Sequence, residues 1–272
     1  MKNRIVILLL LFAFNSFGQN RVQCQLVDLY SDQGIPYVNV GVIGKGLGTV
    51  SDKSGSFTLN IPASMNQDSI LISMIGYKRQ IYLVSEFRKI IASDPVLRME
   101  IENTHLDEVV ITNRRLKSKV LGNTTQAKNI VAGFVSNELG SEIGVPISIK
   151  RSPTFIDNFS ASIVSNKYGV IKFRLNIYKL VDGFPGKSLL YENIIIETEI
   201  EQGVLFVDLS PYNIVVEDDF VIALEWIENL GIDGLFFSAT FFGDPILARQ
   251  TSQDIWMKKS AAGIGFSVGV RY

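Results

Sequence analysis

The chain has 272 residues, with 26 Lys and Arg against 27 Asp and Glu, a net charge of −1, one His and one Cys. That balance excludes the basic surface of a nucleic-acid binder. A single cysteine excludes an internal disulfide, and one His with one Cys excludes multi-histidine and cysteine-rich zinc sites.

In chain order, residues 1–19 read as a secretory signal: Lys2 and Arg4 form a basic start, residues 5–14 an apolar run, and Ser16-Phe17-Gly18 supplies small residues for cleavage before Gln19 or Asn20. The run holds about ten residues, too few for the roughly 20 of a membrane span, and no later run reaches that length. The expectation is an exported protein, periplasmic or outer-membrane associated, with no transmembrane helix after signal removal. Cys24 follows Gln23, with Arg21 three positions before it, so the pattern for a lipid anchor is absent. The mature chain, about 254 residues, suffices for one large or two small domains.

Short segments of period-2 alternation then follow, separated by turn residues, which is the signature of half-buried strands. Strands are expected at 22–26, 36–43, 48–51, 56–61, 69–75, 80–84, 96–101 and 106–112, a first domain of roughly seven strands over 20–112. The 69–75 segment is nearly continuously apolar, which fits burial on both faces. Phe87, Ile90 and Ile91 give residues 86–92 a helical spacing. Residues 44–62, GKGLGTVSDKSGSFTLNIP, raise a sharper question. A phosphate loop needs Gly-Lys-Ser/Thr opening a helix, but Lys45 precedes Gly46 and a strand pattern follows. A cation loop needs several acids, and Asp52 stands beside Lys53. The expectation is a hairpin, with Asp52 bonding the turn and Gly55 supplying positive φ.

Arg114, Arg115, Lys117 and Lys119 then open a basic and polar linker over 113–128, with contact to an anionic lipid surface as the sharper alternative. Residues 129–272 are again strand-rich, with a short helix expected at 129–140. Strands are expected at 145–150, 159–165, 170–180, 189–199, 203–209, 220–227, 235–242, 254–258 and 263–272, and Asp182-Gly183-Phe184-Pro185-Gly186 as a turn. About nine strands in ~140 residues fit a β-sandwich or jelly-roll-like domain.

Catalytic signals are sparse. His105 has no nucleophile-elbow sequence to serve. Asp218, Asp219, Glu225 and Glu228 supply carboxylates for a hydrolase, the second alternative, although Glu217-Asp218-Asp219 reads more simply as an acidic turn. The first alternative is a small outer-membrane β-barrel, because Ile264, Phe266, Val268, Val270 and Tyr272 alternate with small or polar residues up to the last aromatic.

Several of these pieces fall in one order: Gln25 to Asp28 with Gly34-Ile35-Pro36, Val38-Asn39-Val40, Gly48-Thr49-Val50-Ser51-Asp52-Lys53-Ser54-Gly55-Ser56-Phe57, Leu71 to Tyr77, and Leu106-Asp107-Glu108-Val109-Val110-Ile111. In that order and spacing, residues 22–112 resemble the carboxypeptidase-regulatory-like domain found in exported envelope proteins of Gram-negative bacteria. The resemblance implies a transthyretin-like seven-stranded β-sandwich and an accessory or interaction role, with no peptidase residues to carry over. In TonB-dependent transporters such a domain precedes a plug and a large barrel; with about 160 residues following here, no such transporter is expected. Residues 106–112 are then either the last strand of the sandwich or an exposed strand able to pair with a partner.

The resulting expectation is an all-β, non-catalytic envelope protein with no cofactor, acting as a structural or binding module for a protein or glycan. Candidate contact residues are Trp226, Trp256 and Tyr212, each of which also fits a core position.

Overall fold

The computed structural model describes residues 20–102, 116–134, 137–231, 234–259 and 262–272. The expected signal, His105 and the expected 106–112 strand lie outside these residues.

Seven strands and one helix make up the N-terminal part: β1 (Arg21–Asp28), β2 (Asn39–Val42), β3 (Leu47–Val50), β4 (Ser56–Asn60), β5 (Ser69–Ser73), β6 (Gln80–Leu83), α1 (Val84–Ser93) and β7 (Val96–Met99). They form two sheets, β4-β1-β7 and β3-β2-β5-β6, with β7 parallel to β1. Alternation decides what lies between them. Val22, Cys24 and Leu26 of β1 and Phe57 and Leu59 of β4 meet Val40, Val42, Ile70 and Ile72 of the other sheet in one buried cluster. Burial pushes the Cys24 thiol up to about 12, so it packs as a neutral apolar group. Helix α1 spans ten residues rather than the shorter turn expected, and Val84, Phe87 and Ile91 bury one face against the same core. Strand β5 departs from expectation: Ile70 and Ile72 are buried while Ser69, Leu71 and Ser73 are half-buried, so it is a one-faced strand.

Fifteen strands follow among the described residues. They are β8 (Ser118–Gly122), β9 (Val131–Phe134), β10 (Glu142–Ile147), β11 (Thr154–Asn166), β12 (Ile171–Val181), β13 (Phe184–Ser188), β14 (Ile194–Thr198) and β15 (Gly203–Asp208). Beyond them lie β16 (Ile214–Val216), β17 (Phe220–Trp226), β18 (Leu235–Phe241), β19 (Ile246–Arg249), β20 (Met257–Lys259), β21 (Ala262–Ile264) and β22 (Phe266–Arg271). A seven-stranded sheet runs β13-β12-β17-β10-β19-β20 with β14 also on β12. An eight-stranded sheet runs β21-β18-β11-β22-β8, with β15 and β16 on β11 and β9 on β18. The two share one core, in which Phe134 bridges Phe173 and Trp226 of one sheet to Phe237 of the other at ring separations of 5.3–6.5 Å.

Three expectations are corrected here. Within the expected linker, Ser118–Gly122 is a strand paired along β22, because Leu121 has a core position to fill. Within the expected helix, Val131–Phe134 pairs antiparallel with β18, and a Cβ at Gly133 would stand 1.9 Å from the Leu235 carbonyl oxygen. Phe134, 2% exposed, drives that strand into the core. The barrel alternative also fails on its own premise: Ile264, Phe266, Val268 and Val270, read there as lipid-facing, are at most 1% exposed and point between two sheets. No helix among the described residues is long and apolar enough to cross a membrane.

Candidate functional site

The second sheet face of β17 explains why this strand is buried throughout. Phe220, Ile222, Leu224 and Trp226 face the C-terminal core, so Glu225 faces away from it. Cross-strand register then builds a row of four charges: Arg174 of β12 opposite Glu225, Glu225 opposite Glu142 of β10, and Glu142 opposite Arg249 of β19. Both carboxylates are 0% exposed and Arg174 is 1% exposed. Each end is compensated: Arg174 Nη1 lies 3.3 Å from Glu225 Oε2, which also accepts from Asn176 Nδ2 at 2.9 Å. Arg249 donates to Glu142, and Tyr178 OH donates to it at 3.0 Å. The Arg249 guanidinium stacks over Trp256 at 5.2 Å. Burial, reinforced by Glu225 and opposed by Arg249, pushes the Glu142 carboxyl up to about 7. Burial and the facing Glu142 likewise hold the Tyr178 phenol well above its usual value. Sealed and paired in this way, the two glutamates serve the fold, and no solvent reaches them for acid–base chemistry.

The N-terminal sandwich is the lid on this row. Arg174 donates to the Tyr37 carbonyl, and Tyr37, Val50, Ile227 and Leu139 form a small apolar cluster between the two parts. The outer face of β2 and β3 meets residues 251–255 through Ser252 Oγ to Asn39 Oδ1 at 2.6 Å, Gln253 Nε2 to Ser73 Oγ at 2.8 Å, and Gly46 N to Asp254 Oδ1 at 3.0 Å. Close approach is possible because Gly41 and Gly48 sit side by side there; a Cβ on either would stand 2.3 Å from the Ser252 carbonyl oxygen. The glycine-rich stretch is thus neither a phosphate nor a cation loop. Some of its glycines seat the second sandwich.

Beside this seam lies a cleft of about 680 Å³. It opens because residues 51–55 do not close a hairpin. The turn itself is as expected: Asp52 Oδ1 accepts from Ser54 N at 2.7 Å and Ser56 N at 3.0 Å, and Gly55 has φ +80°. Although partial burial opposes it, these bonds hold the Asp52 carboxyl below its usual range. But among the described residues β3 pairs only with β2 and β4 only with β1, so the chain crosses here from one sheet to the other and the arms splay. Leu139, Ile227 and Leu230 of the C-terminal part close the opening, giving with Val50 and Phe57 an apolar floor. Glu228 stands at its rim, accepting from Tyr37 OH at 2.9 Å with Lys53 Nζ at 3.4 Å and Lys172 Nζ at 3.7 Å. Burial and Glu228 push the Tyr37 phenol up to about 12, which keeps it a donor.

The three aromatic candidates do not converge. Trp226 is 1% exposed in the C-terminal core, its Nε1 donating to Asn137 Oδ1 at 3.1 Å, and burial removes it as a contact residue. Trp256 is half-buried against Tyr178 and Arg249, and Tyr212 packs at the edge of the C-terminal core in the turn Ser210–Tyr212. The four carboxylates of the hydrolase alternative are also dispersed. Asp218 pairs with Lys179 at 2.9 Å, Asp219 accepts from Ile149 N at 2.9 Å, Glu225 is sealed, and Glu228 alone reaches the cleft. Sequence reasoning missed the cleft; its only local signal was the turn that forms one wall.

Residues 22–111 match the family model described as the CarboxypepD_reg-like domain, and that stretch is such a domain, a regulatory and non-catalytic type. A comparison with curated proteins finds no match. Among solved structures the chain is similar to a structure of infectious bursal disease virus Gx strain, at 12% identity and TM-score 0.27, covering 93% of this chain and 62% of that one. It is also similar to the infectious bursal disease virus VP2 subviral particle, at 11% identity and TM-score 0.27, covering 87% and 60%. The chain spans less than two thirds of either structure's length.

Proposed function

We propose that the protein is an exported, non-catalytic binding module of the cell envelope, in which the N-terminal and C-terminal sandwiches together form one ligand cleft. The observation that carries this reading is the opening between β3 and β4: its walls come from both parts, its floor is apolar, and a few polar groups converge at its rim, the ordinary make-up of a binding site. Export rests on the basic start and apolar run of residues 1–19. A non-catalytic role is supported by the dispersal of the candidate carboxylates and by the domain type of residues 22–111.

The reading is tested by presenting the full-length mature protein to a glycan array and to a random heptapeptide display library, beside the variant Asn229→Trp. Asn229 is exposed at the cleft wall, so the indole fills the opening. Ligands that bind in the cleft lose about tenfold or more in affinity to the variant, and a single cooperative melting transition shows that the variant remains folded without the Asn229 Oδ1 acceptor for Asn137 Nδ2 and Gly231 N. Ligands that bind both proteins equally place the site elsewhere and overturn the reading.

A further inference from the structure

Resting on that reading, we infer that the cleft takes an extended polypeptide segment, which adds a strand to the free edge of β4. The pairing pattern shows which backbone groups are free. Ile61 N donates to Asn20 O and Leu26 N to Gly55 O, both at 2.8 Å, so these two pairs bracket the β1–β4 ladder as hydrogen-bonded positions. Alternation between them turns the backbone of Leu59 and Phe57 toward β1 and that of Ser56, Thr58 and Asn60 toward the open edge. Ser56 is already used: its N–H goes to Asp52 Oδ1 and its carbonyl accepts from Asp52 N at 2.8 Å. Among the described residues Thr58 and Asn60 keep an unpaired N–H and C=O each, two residues apart, which is the repeat a docking strand matches.

Thr58 also lies where a ligand would be. It lines the 680 Å³ cleft and a second hollow of about 420 Å³ on the other side of the strand, and the two share Asp52, Ser56, Phe57 and Thr58. The chemistry favours a peptide over a sugar. Sugar recognition wants an exposed aromatic platform, but Phe57 is 5% exposed and Tyr37 9%, with its hydroxyl committed to Glu228. Main-chain donors and acceptors beside Val50, Leu139 and Leu230 instead suit a strand with an apolar side chain at alternate positions.

The experiment takes heptapeptides selected from the random display library on the full-length protein and titrates them against wild type, Thr58→Pro and Thr58→Val. Proline removes the Thr58 N–H, which no backbone group among the described residues uses, and its ring blocks the edge; valine keeps the N–H and the branched shape. Affinity is expected to fall about tenfold or more in Thr58→Pro and to stay within about twofold in Thr58→Val. A parallel measurement uses wild-type protein with peptides N-methylated at alternate residues, where one methylation register abolishes binding and the other does not. Equal binding to Thr58→Pro together with indifference to either methylation register overturns strand addition, and if the same peptides still lose affinity to Asn229→Trp, the cleft reading stands without it. A library that yields no peptide while a glycan is lost to Asn229→Trp also overturns it. Peptides insensitive to both substitutions overturn both.

Discussion

Glu142 lies between Arg249 and Glu225, out of reach of water, and its carboxyl is pushed up to about 7 from an ordinary 4.5. A carboxyl whose pKa is higher in the folded than in the unfolded chain adds stability while it is protonated. That contribution is complete below about 4.5 and disappears as the pH climbs to about 7. Urea unfolding of wild type and Glu142→Gln across pH 4 to 8 should therefore show the difference, wild type minus variant, falling by up to about 3 kcal/mol over that window. A difference that does not change with pH would mean that Glu142 stays ionised in its pair with Arg249 throughout. None of this was visible in the sequence. The sequence offers Glu225 only as one of four carboxylates for a hydrolase; its neighbours Glu142 and Arg174 come from β10 and β12, Arg249 beyond Glu142 comes from β19, and only the register of three ladders puts them in one row.

Between β2 and β3 the pair Gly41 and Gly48 meets Ser252 so closely that no side chain fits. Gly48→Val is expected to force residues 251–255 off the sheet and to cost about 1–3 kcal/mol, read as a lower melting temperature in calorimetry. An unchanged melting temperature would show that this loop is not seated on the sheet. Elements built on local chemistry were the legible ones. The Asp52–Gly55 turn and the alternating strands β1, β4 and β12 follow from residues a few positions apart. Where local pattern and tertiary demand disagreed, the tertiary demand prevailed. The basic run around Lys117 and Lys119 reads as a linker, yet Leu121 in its midst completes a core; the 129–140 segment reads as a helix, yet Phe134 is needed between two sheets. The turn was correctly placed and its consequence was not, because whether a tight turn closes a hairpin or crosses between sheets depends on which partners the two arms find.

For the molecule as a whole, the proposal joins export, a non-catalytic module and a shared cleft. Export is checked by mass spectrometry of the protein recovered from the periplasmic and membrane fractions of the expressing cell. The mature chain is expected to begin at Gln19 or Asn20, and recovery of the protein with residues 1–18 intact overturns it. The all-β class and the exclusion of a disulfide within these 272 residues were determined by the sequence itself, because strand periodicity, turn residues and cysteine number are local or countable, and the domain type of residues 22–111 was carried by the resemblance of its ordered motifs to a known family. The seam between the sandwiches, the buried row of four charges and the cleft were decided only by the tertiary structure. Their defining contacts join residues as far apart as Tyr37 and Glu228, 191 positions along the chain, and no local pattern encodes which distant faces will bury one another.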